Sequence, residues 1–154
     1  MRVVICTAFM LAVTLAPVSA QMGQPYTGSA AFEQMKSLVG VWEGEMPMKD
    51  KGGEGASHEN APAMMKITVE YRMTAGGTVI QETYNGGSPM EMISMYHDRG
   101  GKLSMTHYCM VGNQPRMDLV GSEPGRLTFD FAASNELDPT KGMHMHGLDL
   151  SFID

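Results

Sequence analysis

This chain of 154 residues is poor in cysteine, aromatic residues and positive charge, with two cysteines, one tryptophan and 7% aromatics. Each shortage excludes something. Cys6 lies in the apolar opening stretch, so an exported chain that sheds that stretch keeps Cys109 alone and can form no internal disulfide. Lys and Arg number 11 against 17 Asp and Glu, a formal charge of −6 that becomes one unit more negative if Arg2 is lost. Such a balance argues against nucleic acid and against anionic membrane surfaces, both of which need a basic face. No Cys-x-x-Cys pair is present, so the close-spaced thiolate metal sites are excluded too. Beyond Val3–Pro17 there is no long apolar run, and that one falls short of the roughly 20 residues of a membrane span.

The opening residues predict an export signal over residues 1–20. Arg2 supplies a positive end, Val3–Pro17 is almost wholly apolar, and Val18-Ser19-Ala20 offers the small residues of a cleavage site. A lipoprotein is not expected, since no cysteine follows that site. The mature chain would start near Gln21 and be periplasmic or secreted. Residues 21–30 are small and polar and read as a disordered leader. The remainder, 31–154, suits one domain with one core.

Within that domain, Phe32, Met35 and Leu38 recur at helical spacing behind Ser29 as a cap, predicting one short helix. Residues 49–63 carry glycines and mixed charges without periodicity and read as a mobile loop. From Met64 the period becomes two: Met65, Ile67, Val69, Tyr71 and Met73 alternate with Lys66, Thr68, Glu70 and Arg72. Further strands are expected over Thr78–Tyr84, Met90–His97, Lys102–Val111, Arg116–Val120, Arg126–Ala132 and Met143–Phe152. Turn-forming clusters such as Asn85-Gly86-Gly87 and Gly112-Asn113-Gln114-Pro115 separate them. With Trp42–Met48 as the first, eight strands are expected in an antiparallel up-and-down meander, enough to close a barrel around one small ligand. The alternation still runs at Ser151-Phe152-Ile153-Asp154, as expected of a chain truncated at its C-terminus.

A short helix followed by Gly40-Val41-Trp42 and a meander is similar to the start of lipocalin-like (calycin) barrels. The run Thr106-His107-Tyr108-Cys109 with Gly112-Asn113-Gln114-Pro115-Arg116-Met117 resembles that of an uncharacterised exported bacterial family. The resemblance spans about Phe32 to Asp154. It implies a lipocalin-like β-barrel with Trp42 at its floor and at most a ligand cavity, and it supplies no catalytic residues.

Chemistry concentrates in that same run. Alternation puts Met105, His107 and Cys109 on one strand face. As a nucleophile pair, His107 and Cys109 lack an orienting third group, and residues two apart on a strand sit roughly 6 to 7 Å apart. Catalysis is therefore not expected. A ligand set of His107, Cys109, Arg116, Tyr108 and Asn113 would give a small apolar or amphipathic molecule its polar contacts. Interior packing explains the same residues without a ligand, just as burial explains a free cysteine. A pairing of Cys109 between two chains in a homodimer is a further possibility.

The rival function is a copper- or haem-binding module. Thiolate, thioether and imidazole suit copper(I), so His107 and Cys109 would have to converge with His144 and His146 from Met143-His144-Met145-His146. The favoured small-molecule function requires no cofactor. Arg116 is further expected to stack over Trp42.

Overall fold

A computed structural model describes residues 25–47 and 64–153. The expected signal, the start of the leader and the 49–63 loop lie outside the described residues.

Helix α1 covers Ala30–Met35, and its first turn is capped by Ser29, whose hydroxyl accepts from the Phe32 amide at 3.2 Å. A single 3-10 turn, Lys36–Leu38, carries the chain to the sheet. The helix buries Ala31, Phe32 and Met35 against the strands, as the spacing predicts. The part of the expected leader that is described, from residue 25 onward, bonds to the sheet. Tyr26 Oη donates to Asp98 Oδ2 at 2.9 Å, and the Ser29 amide and hydroxyl donate to Asp98 at 2.6 and 2.7 Å. Gly28 is required beside them, because a Cβ there would lie 2.5 Å from the Phe32 ring.

Eight strands follow: β1 Gly40–Pro47, β2 Met64–Thr74, β3 Val79–Tyr84, β4 Met92–Arg99, β5 Lys102–Tyr108, β6 Arg116–Glu123, β7 Arg126–Phe131 and β8 Gly147–Ser151. Each pairs antiparallel with the next, in chain order, within one sheet. Edges β1 and β8 have one neighbour each, and the sheet curls into a half-barrel. The mainly β, up-and-down architecture is thus the one the sequence predicts.

Period two decides which side is core. In β2, Met65, Ile67, Val69, Tyr71 and Met73 turn to the concave side, and Lys66, Thr68, Glu70 and Arg72 are exposed on the convex one. In-register partners share a face, so the concave side can be read across the sheet in rows. One row is apolar: Met73, Ile80, Tyr96, Met105, Met117 and Phe131. Ile80, Tyr96, Met105 and Met117 in it are fully buried. Fully burying one such side chain contributes about 1.5 to 3 kcal/mol, which makes this row the spine of the fold.

The segment expected as a strand from Met143 pairs only from Gly147. Upstream of it, the Met143 carbonyl accepts from Asn113 Nδ2 at 2.7 Å, so it bonds a side chain in place of a ladder partner. The connection leading there is tied down by Asn135. Its Oδ1 accepts from the Arg116 amide at 2.7 Å, and its Nδ2 donates to the carbonyls of Arg116 and Ala132 at 2.7 and 2.9 Å.

Candidate functional site

A second concave row, parallel to the apolar one, is polar. Tyr71 of β2 pairs with Glu82 of β3, Glu82 with Ser94 of β4, and Ser94 with His107 of β5. Four neighbouring strands therefore set four polar side chains side by side on the inner wall. Tyr71 Oη donates to Glu82 Oε1 at 3.0 Å, and Tyr96 Oη donates to Oε2 at 2.7 Å. Ser94 Oγ lies 3.1 Å from His107 Nδ1.

Their surroundings set their charge states. Burial, the adjacent Glu82 charge and the bond to Glu82 push both phenols far above their ordinary range, so Tyr71 and Tyr96 stay protonated donors. Burial lowers His107, and the nearby Glu82 charge only partly offsets it. His107 is 4% exposed and therefore neutral at pH 7.

The row opens on a cavity of about 360 Å³ lined by Met46, Val69, Glu82, Tyr84, Met92, Ser94, His107, Met145 and Leu148. Most of this wall is apolar, with the carboxylate, serine and imidazole grouped on one side. Such a combination characterises small-molecule sites. A larger depression of about 640 Å³ lies on the convex face between Val41, Lys66, Thr83 and the 85–90 turn. Its Lys66, Thr68 and Glu70 are exposed side chains of β2, and no buried polar group faces it.

The five ligand residues expected together are divided by the sheet. His107 and Cys109 face the concave side, where Cys109 Sγ touches Met92 Sδ at 4.0 Å. Tyr108, Asn113 and Arg116 line a separate outer cleft of about 420 Å³ with Thr106, Gln114, Ser134 and Asn135. The reason is the period of two itself: His107 and Tyr108 are adjacent and must point to opposite faces. Asn113 is occupied in holding Met143, and Arg116 Nη2 donates to Ser134 Oγ at 3.1 Å. Gly112, at φ 85°, serves the hairpin turn, in which its amide donates to the Cys109 carbonyl at 2.9 Å.

The expected metal set is not gathered either. His144 and His146 stack on each other, with centroids 4.2 Å apart, and on Phe131. Among the described residues no group of three or more His, Cys, Asp or Glu side chains is arranged to hold a metal ion. Trp42 points to the concave side opposite Val69, but it sits on an edge strand and is half exposed, its Nε1 donating to the Leu38 carbonyl at 2.6 Å. It has no stacking partner in Arg116; the cation over a ring among the described residues is Lys36, 5.3 Å from the Phe32 centroid.

Glu82 is the site residue that the sequence reading overlooked. The available signal was its position between Ile80 and Tyr84, on the apolar phase of a strand. Among the described residues no helix is long and apolar enough to cross a membrane. No protein family, curated protein or solved structure matches the chain.

Proposed function

We propose that this protein is exported and binds a small apolar or amphipathic ligand, without catalysis, in a lipocalin-like barrel. The observation that carries this is that Glu82, Ser94 and His107 of the polar row line an otherwise mainly apolar cavity, with Tyr71 holding Glu82 from behind. Polar groups grouped on one wall orient a ligand whose remaining surface is apolar. In this reading β1 and β8 approach each other around the ligand, which removes both exposed sheet edges and covers Trp42. Ser94 and His107 pair at 3.1 Å, but among the described residues no hydrogen bond from a third side chain orients the imidazole, and Cys109 lies against Met92. The test is fluorescence titration of the mature protein with the neutral apolar dye N-phenyl-1-naphthylamine, alongside native mass spectrometry of protein taken from its secreting host. Saturable dye binding and a co-purified organic mass are expected. Absence of both ends the proposal.

A second reading, copper(I) binding, is favoured by one contact. Two sulfurs bound to a single ion at about 2.3 Å sit roughly 3.8 to 4.0 Å apart, and Cys109 Sγ and Met92 Sδ are 4.0 Å apart. His107, on the same face, supplies a third soft-metal ligand. Titration with copper(I) under a competing chelator tests it, with Met92→Leu expected to weaken uptake. Equal uptake by Met92→Leu would remove this reading.

A further inference from the structure

We infer that the ligand of the concave cavity carries a protonated amine, and that Glu82 is its counter-ion. This rests on the cavity being a ligand site, as proposed above.

Glu82 is a carboxylate facing an apolar chamber. Its two oxygens each take one phenol donor, from Tyr71 and from Tyr96. A carboxylate offers about four lone-pair positions, so roughly two remain for a donor arriving from the cavity. Phenols that stay protonated orient the carboxylate but do not neutralise it. Glu82 is half-buried, and a carboxylate partly withdrawn from water gains from a cation that meets it.

The chain does not supply that cation among the described residues. Its ion pairs there are Lys36 with Glu33, Arg126 with Asp149 and Lys141 with Asp138, none of them at the cavity. Arg72 lies on the neighbouring strand but on the convex side, where it bonds Gln81 at 2.7 Å. His107 is the remaining candidate, and burial keeps it neutral with Nδ1 at Ser94. With no cation facing Glu82 among the described residues, a ligand can bring the positive charge. A carboxylate or phosphate ligand would meet repulsion at Glu82, and a neutral ligand would leave it uncompensated. Val69, Met92 and Leu148 on the surrounding wall suit an alkyl or aryl body. An amphipathic primary amine satisfies both parts of the site.

The test compares octylamine, octanol and octanoate as displacers of N-phenyl-1-naphthylamine from the full mature protein at pH 7. A charge-assisted hydrogen bond is about twice as strong as a neutral one. Octylamine is expected to bind at least about tenfold more tightly than octanol, with octanoate the weakest. Glu82→Gln should reduce octylamine to the level of octanol. Because Glu82→Gln could disturb folding, the salt dependence of the unaltered protein gives an independent measure: amine affinity should fall from low to high ionic strength while octanol affinity does not. Equal binding of all three compounds, or an amine preference that survives Glu82→Gln, overturns the amine assignment and leaves the cavity reading standing. Failure of the dye to bind, together with the absence of a co-purified organic mass, overturns both.

Discussion

Tyr96 and Glu82 meet on the inner wall, the fully buried phenol donating to Oε2 at 2.7 Å. With Tyr71 on the other oxygen, the bond fixes a carboxylate in a wall otherwise built for apolar contact. Removing the hydroxyl in Tyr96→Phe leaves the ring's packing on Phe129 in place and takes one donor from the carboxylate. Urea denaturation should show a loss of about 2 kcal/mol. Tyr71→Phe should cost less, its hydroxyl being nearer solvent. The double variant should depart from additivity, since both donors serve one group.

His107 makes stability pH-dependent in a defined direction. Burial depresses its folded value below the ordinary 6.5, so the unfolded chain binds the proton more readily. Stability is then fully present above about pH 6.5 and falls as pH drops below it towards the folded value. The melting temperature should decline between pH 7 and 5.5, and His107→Gln should flatten that part of the profile. A His107 ring signal titrating above 6.5 by NMR would contradict this.

Asp98 acts in a lower window. Burial alone would raise it, but the Ser29 amide and hydroxyl and the Tyr26 phenol hold it below the ordinary 3.8. Its contribution is present above that value and lost as pH falls through the lower folded one. Asp98→Asn should therefore reduce acid sensitivity below pH 4. It should also loosen the 25–38 segment, read as faster hydrogen exchange at the Phe32 and Glu33 amides.

Asn135 holds β6 to the long connection through three hydrogen bonds with backbone groups. Asn135→Ala takes the partner of the Arg116 amide and one of the two donors to its carbonyl, which keeps the Ala132 amide at 2.9 Å, and about 1 to 3 kcal/mol of stability should be lost. Chemical denaturation measures it, and exchange of the Arg116 amide should accelerate.

Trp42 is the single tryptophan and is half exposed on the concave side of an edge strand. Iodide should quench its fluorescence in the free protein. Loading the cavity with octylamine should reduce that quenching, because Met46, on the same face of β1, belongs to the lining. Unchanged quenching on saturation would show that β1 does not respond to the ligand.

The strands were legible wherever apolar and polar residues alternate without a break, as in Met64–Thr74, because one buried face enforces period two. The shared face of Met105, His107 and Cys109 followed from the same rule. What alternation within one strand does not carry is which side curls inward and which residues of other strands lie opposite. Glu82 was missed for that reason: its neighbours Tyr71, Ser94 and Tyr96 come from other strands, and only the register joins them. Asp98 and Asn135 were unreadable on similar grounds, since Tyr26 and Ser29, which bond Asp98, and the Arg116 backbone, which bonds Asn135, lie far away in sequence. His144 and His146 stack on each other outside any strand, and whether they meet His107 is something no local pattern encodes.

The chambers on the two sides of β5 share one backbone, with His107 lining the inner and Thr106 and Tyr108 the outer. Deleting one residue between Ser104 and Cys109 would turn the strand over locally. The imidazole would face water and a phenol would enter the cavity. Neither chamber can then change length independently: a substitution in β5 alters one lining, whereas an insertion or deletion alters both at once.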